Sequence, residues 1–212
     1  SPEAASRIKA ALQSRFENQA QRLDDALLKS SGAAGDASAS REALQQEAKI
    51  SRQPLYDRAF SEGASGIDSD VIDALMKSPS MKKSMGEAAT RILDREAAAA
   101  AGGPKTTGLF GEYPEGAVPV YDEAGNVSKY INSEGKEVDK LRTLEYWDAV
   151  KVSLDDDIQA SLNKGANGRA RALINLRDRL VNSLDDSIES YSGARGNASR
   201  IFGTSDALSA GE

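Results

Sequence analysis

Two matched apolar stripes toward the C-terminal end restrict this chain more than any other feature. Leu141, Leu144, Trp147, Val150, Leu154, Ile158 and Leu162 recur at helical spacing. So do Leu173, Leu176, Leu180, Leu184 and Ile188. Apolar residues three and four apart share one face of an α-helix. Asn163-Lys164-Gly165-Ala166-Asn167-Gly168 between the stripes reads as a short connection. The pattern predicts an αα-hairpin over 141–190, each stripe covering the other. With this centre the fold is expected to be mostly α, a multi-helix bundle.

Other segments fit around that centre. Residues 2–30 read as one amphipathic helix, with Pro2 suited to its first turn. The Ser/Gly/Ala run at 30–40 has the composition of a flexible linker. Residues 1–38 are therefore read as a helical arm with its linker, 39–203 as a helical domain, and 204–212 as a flexible tail. Within 40–62, Leu55, Ala59 and Phe60 continue a stripe begun by Leu44 and Ala48. Pro54 is expected to kink or split this helix, since proline lacks an amide donor and clashes with the preceding turn. Asp68 or Ser69 can cap a short helix through Met76, with Val71, Ile72 and Leu75 inward. Ser78-Pro79 opens a longer one to about Ala101, with Met81, Met85, Ala88, Ala89, Ile92 and Leu93 inward. Gly102-Gly103-Pro104 stops it. A further short helix is expected over 191–202.

Residues 118–131 break the helical pattern. Val118-Pro119-Val120-Tyr121 and Val127-Ser128-Lys129-Tyr130-Ile131 flank an Asp122–Asn126 turn. This predicts a small β-hairpin insertion. A second turn, Ser133–Lys136, follows. An isolated hairpin is marginal in water, so this one is expected to lie on the helices or on a partner.

Composition narrows the chemistry. Across 212 residues there is no Cys and no His. Disulfides, thiolate nucleophiles, imidazole metal ligands and a Ser-His-Asp triad are excluded. No run of apolar residues is long enough for a membrane span, and none reads as a signal peptide. The chain opens Ser1-Pro2 without Met. It is therefore expected to be a processed product or an excerpt of something longer.

Asp155-Asp156-Asp157 and Asp185-Asp186 are the acidic candidates for a metal or acid–base site. Three successive helical positions point three ways, so they do not converge by themselves. A turn centred near 166 sets 155 opposite about 177, which favours ion pairs with Arg177 and Arg179. Lys164, Arg169, Arg171, Arg177 and Arg179 form a basic run without aromatic residues. It reads as a solvated face, and direct nucleic-acid contact is not expected. Trp147 reads as core, and Tyr56 and Tyr191 as packing anchors with surface hydroxyls. No phosphate-binding glycine pattern occurs. No catalytic residue, cofactor or metal ligand is assigned. The candidate interface residues are Ile8, Leu12, Phe16, Leu23 and Leu27 on the arm, with Phe110 and Tyr113 before the hairpin.

The segment Leu144-Glu145-Tyr146-Trp147-Asp148-Ala149-Val150-Lys151 is followed by Leu154-Asp155-Asp156 and a Gly/Asn connection. Leu173, Leu176-Arg177, Leu180, Leu184-Asp185, Tyr191 and Ala194-Arg195 come next. Pro54-Leu55-Tyr56-Asp57-Arg58-Ala59-Phe60 and the Tyr121–Asn126 turn precede them. Together, over about 41–202, these residues resemble a helical module of large phage and prophage proteins associated with the virion. That family commonly has Pro before the tyrosine matched by Tyr191, where this chain has Ser190. The resemblance implies a structural, tail-linked or DNA-ejection role and carries no catalytic residues. It implies other virion proteins or further copies as partners, and a virion location after assembly in the bacterial cytoplasm. A cysteine-free chain is compatible with that reducing compartment. The alternative is a cytosolic adaptor or effector that binds a partner through its N-terminal helix. A third reading is a carboxylate-and-metal enzyme built on Asp155, Asp156 and Asp185.

Overall fold

A computed structural model describes residue 50 and residues 52–196. The predicted arm, linker and tail, and with them Ile8, Leu12, Phe16, Leu23 and Leu27, lie outside the described residues. The fold is mostly helical with a small three-stranded antiparallel sheet. In chain order come α1 (52–62), α2 (Asp70–Leu75), α3 (Pro79–Ala100), β1 (Val118–Tyr121), β2 (Val127–Ile131), β3 (Glu137–Val138), α4 (Leu144–Asn163), α5 (Asn167–Ser187) and α6 (189–196).

Local chemistry sets the helix ends. The Ser69 hydroxyl accepts from the Ile72 amide and caps α2. Thr143 does the same for α4, accepting from the Tyr146 amide at 3.2 Å. Pro79 occupies the first position of α3, where no amide partner is needed. α3 and α4 end by one device. At α3, Gly102 takes φ +90° and the Gly103 amide donates back to the Ala98 carbonyl at 2.9 Å. At α4, Gly165 takes φ +71° and the Ala166 amide donates to the Ser161 carbonyl at 2.9 Å. Both are six-to-one closures around a left-handed glycine. The connection from α4 to α5 is shorter than its sequence suggests, because Asn167 and Gly168 already belong to α5. Pro54 lies inside the helical run 52–62 and does not split it.

α4 is the central helix. It packs against α3 and α5, and α2 packs on α5. Leu144, Trp147, Val150, Leu154 and Ile158 are buried as the stripe predicts, facing buried Leu173, Leu180 and Leu184. Leu141 falls before α4, which begins at Leu144, and Leu162 is exposed at the end of the hairpin where neither helix continues far enough to cover it. Val71 and Leu93 are also exposed, contrary to expectation. Each sits beside a buried isoleucine, Ile72 or Ile92. Successive helical residues point about 100° apart, so a narrow contact takes one of the two.

Three irregular segments meet at the start of α4. The Leu144 amide donates to the Gly63 carbonyl at 3.0 Å, and Ile67 to Arg142 at 2.9 Å. Gly111 donates to Leu141 at 2.9 Å, Leu141 to Glu112 at 2.7 Å, and Glu112 to Ser65 at 2.6 Å. The approach is close enough that a Cβ on Gly111 would collide with the Ser65 carbonyl. This junction carries the sheet. β1 pairs with β2 and β2 with β3, so the predicted hairpin is the first part of a three-stranded meander. Its two turns are alike. The Asp122 carboxylate accepts from the amides of Ala124 and Asn126, and the Asn132 side chain from those of Glu134 and Lys136. Gly125 and Gly135 take the positive φ that each turn requires.

The sheet adds no side chain to the hydrophobic core of the helices. The buried core and the side chains packed against it include nothing from 110 to 143. Stability should therefore reside in the helices. Trp147→Ala is expected to cost about 3–5 kcal/mol, as for other buried large aromatics. Leu93→Ala should stay within about 0.5 kcal/mol, as exposed substitutions do. Urea unfolding followed by circular dichroism measures both.

Candidate functional site

Phe110 and Tyr113, the two candidate interface residues within the described region, flank the junction beneath the sheet. Phe110 is 47% exposed, with the Arg142 guanidinium 3.9 Å above its ring. Tyr113 is half-buried and stacks on Tyr130 of β2 at a centroid distance of 3.6 Å. The Lys140 ammonium lies 5.6 Å from the Tyr113 ring. Tyr113 thus braces the sheet, and Phe110 presents its ring at the surface. Val118, Tyr121 and Val127 extend the exposed apolar surface along the strands. Strand alternation puts Val118, Val120 and Ile131 on the face opposite the Tyr113–Tyr130 stack, and the register shifts between Val120 and Tyr121. Glu137 and Lys129 flank that face 3.7 Å apart.

The acidic candidates do not converge. Asp155 bonds Lys151 at 2.7 Å and Arg177 at 3.0 Å. Asp156 meets Arg91 at 2.8 Å, and Asp157 meets Lys83 at 2.7 Å. Asp185 pairs with Arg195 at 2.6 Å. The predicted cross-hairpin pairing holds for Arg177. It does not hold for Arg179, which is exposed and makes no ion pair with a described residue. Two residues along a helix is about 200°, so Arg177 and Arg179 face opposite ways. Among the described residues no group of three or more acidic side chains is placed to hold a metal ion.

A second arrangement was missed in the sequence. Between α1, the end of α3, α4 and α6 lies a polar cleft of about 740 Å³, with Tyr56, Arg95, Lys105, Glu145, Asp148 and Lys151 among its walls. Glu145 is buried, 5% exposed. Its carboxylate accepts from Arg95 at 3.1 Å, the Thr106 hydroxyl at 2.8 Å, and the Thr107 amide and hydroxyl at 2.7 and 3.0 Å. That set of donors offsets the cost of burying the charge. One turn later, Asp148 accepts from the Tyr191 hydroxyl at 2.8 Å. Tyr191 is fully buried, which corrects the expected surface hydroxyl. Its ring meets Tyr56 edge-on at 6.2 Å.

Burial shifts these groups. Asp148 is pushed above the ordinary carboxylate range by desolvation, against the opposing pull of the Tyr191 hydroxyl and of Lys151 and Arg95. Tyr56 is pushed up to about 12 by burial and by the Asp148 carboxylate. Tyr191 is raised further for the same reasons. A carboxyl beside a phenol can exchange a proton, but here the phenol is sealed from solvent and holds α6 onto α4. Three of the cations lining the cleft are paired, Arg95 with Glu145 and both Lys151 and Arg177 with Asp155.

The chain matches no family model, no curated protein and no solved structure.

Two outcomes are expected. Asp148→Asn keeps the acceptor for Tyr191 and removes the titration. A raised folded-state pKa means that the native chain holds its proton longer than the unfolded one. Stability contributed by the carboxyl is intact below the ordinary value of 3.8 and falls as pH rises through the folded-state value. The variant should therefore melt higher than the parent at neutral pH, with the gain vanishing near pH 3. Thermal unfolding across pH reads this. Tyr113→Ala should speed amide exchange in the strands while leaving α4 and α5 protected, as seen by hydrogen-exchange mass spectrometry.

Proposed function

We propose that this chain is a non-enzymatic structural or DNA-ejection-related component of a phage or prophage virion, or a domain of one, acting through protein–protein contacts. The observation that carries the reading is the sheet. It stands on a core complete without it and exposes Val118, Tyr121 and Val127, with Phe110 exposed at the junction beneath it. Apolar side chains gathered on a projecting element suit contact with another protein. The acidic residues considered for catalysis pair separately with cations on four helices, which fits a framework better than a reaction centre. The virion assignment rests on the resemblance of residues 54–60, 121–126 and 144–195. Many of those residues, such as Trp147, Leu154, Leu180 and Tyr191, make the core. The shared pattern is then that of a scaffold, with contact surfaces free to vary around it.

Cofractionation provides the test. Tagged full-length chain, produced in a host assembling particles, should sediment with them on a density gradient. Recovery only in soluble complexes smaller than particles would overturn the virion reading and favour the adaptor alternative.

A further inference from the structure

Charge is separated along this molecule. From 112 to 140, the segment that builds the sheet, there are seven carboxylates against three lysines. From 158 to 176, the tip of the αα-hairpin, there are Lys164, Arg169 and Arg171 and no acidic residue. All three of these cations are exposed, and none makes an ion pair with a described residue. Leu162, 44% exposed, lies among them. Both ends thus combine exposed apolar surface with a net charge, negative at the sheet and positive at the tip.

α4 holds the two ends apart. The sheet leads into the N-terminal end of α4, and the basic tip is at its C-terminal end. A helix of 20 residues is about 30 Å long. Exposed charges at that separation are screened from one another at physiological salt, where the Debye length is about 8 Å. One molecule cannot bring its own two ends together.

We propose that the acidic, apolar sheet of one copy docks on the basic hairpin tip of a second copy, head to tail. This rests on the assembly reading above and names its partner as the chain itself. The contact is heterologous, so each copy keeps one free sheet and one free tip. Association then continues into a series or closes as a ring. The tip is too small and too poor in aromatic side chains to make nucleic acid the favoured occupant. The sheet, being acidic, has no use for it.

The test uses the full chain and two charge-reversed variants. Lys164→Glu/Arg169→Glu/Arg171→Glu makes the tip acidic. Glu115→Lys/Glu123→Lys/Asp139→Lys makes the sheet region basic and spares the turn-forming Asp122. Light scattering after size exclusion should show the parent associating beyond a dimer as concentration rises, and less so in high salt. Each variant alone should associate about a hundredfold more weakly, because like charges then meet across the contact. An equimolar mixture should associate again, since each variant's acidic end finds the other's basic end. Misfolding cannot produce that recovery.

A mixture that stays monomeric overturns the proposal, as does association indifferent to both reversals. So does association lost only when residues 1–38 are removed. A tip variant that loses binding to duplex DNA while self-association persists would assign the tip to nucleic acid instead. A chain monomeric at every salt concentration that still sediments with particles overturns the head-to-tail contact and leaves the virion reading standing.

Discussion

The first turn of α4 is buried on every side, and most of the fold is arranged to make that possible. Leu144, Glu145, Tyr146 and Trp147 are all at most 5% exposed. A helix in a small protein ordinarily keeps one face in water. Here four successive side chains, about 100° apart, each require a different neighbour. Leu144 lies against Gly63, where a Cβ would collide with it. Tyr146 donates its hydroxyl to the Met85 carbonyl of α3 at 3.2 Å. Glu145 draws in Arg95 and the loop at Thr106 and Thr107. An ionised carboxylate in that position without these donors would be destabilising by several kcal/mol, on the order expected for a broken buried pair. The polar contact therefore fixes where the loop after α3 must run, and the loop in turn closes one wall of the cleft.

Much of this was legible in the sequence, and the failures have common causes. The helical stripes of α3, of α4 beyond its first turn, and of α5 are legible because burial there is one-sided, and one-sided burial leaves a period. The pairing of Asp155 with Arg177 followed from the register of an antiparallel hairpin. Glu145 was invisible because a charged residue reads as surface unless its partners are known, and Arg95 and Thr106 are distant in sequence. The Asp148–Tyr191 bond was hidden in the same way. Val71 and Leu93 were misplaced because adjacent apolar residues give no hint of which one the contact accepts. β3 has two residues, too few to carry an alternating pattern.

Helices and sheet differ in what sustains them. The helical body is held by apolar burial and by polar contacts sealed within it. The sheet is held by its own ladder, by the Tyr113–Tyr130 stack and by backbone bonds at the junction. Contacts made by such a sheet can be gained or lost without disturbing the hydrophobic core. This division separates the surface available for assembly from the part that determines whether the chain folds.

The two turns of the meander share a further property. Each is closed by a side chain at its own start, Asp122 or Asn132, together with a glycine three residues on. Neither turn borrows a bond from the helices. Each turn is therefore closed by its own residues, and lengthening or shortening the paired strands together leaves both turns and the junction intact. Related chains could thus differ in how far the projection reaches while keeping the same body, so that reach is inherited independently of fold.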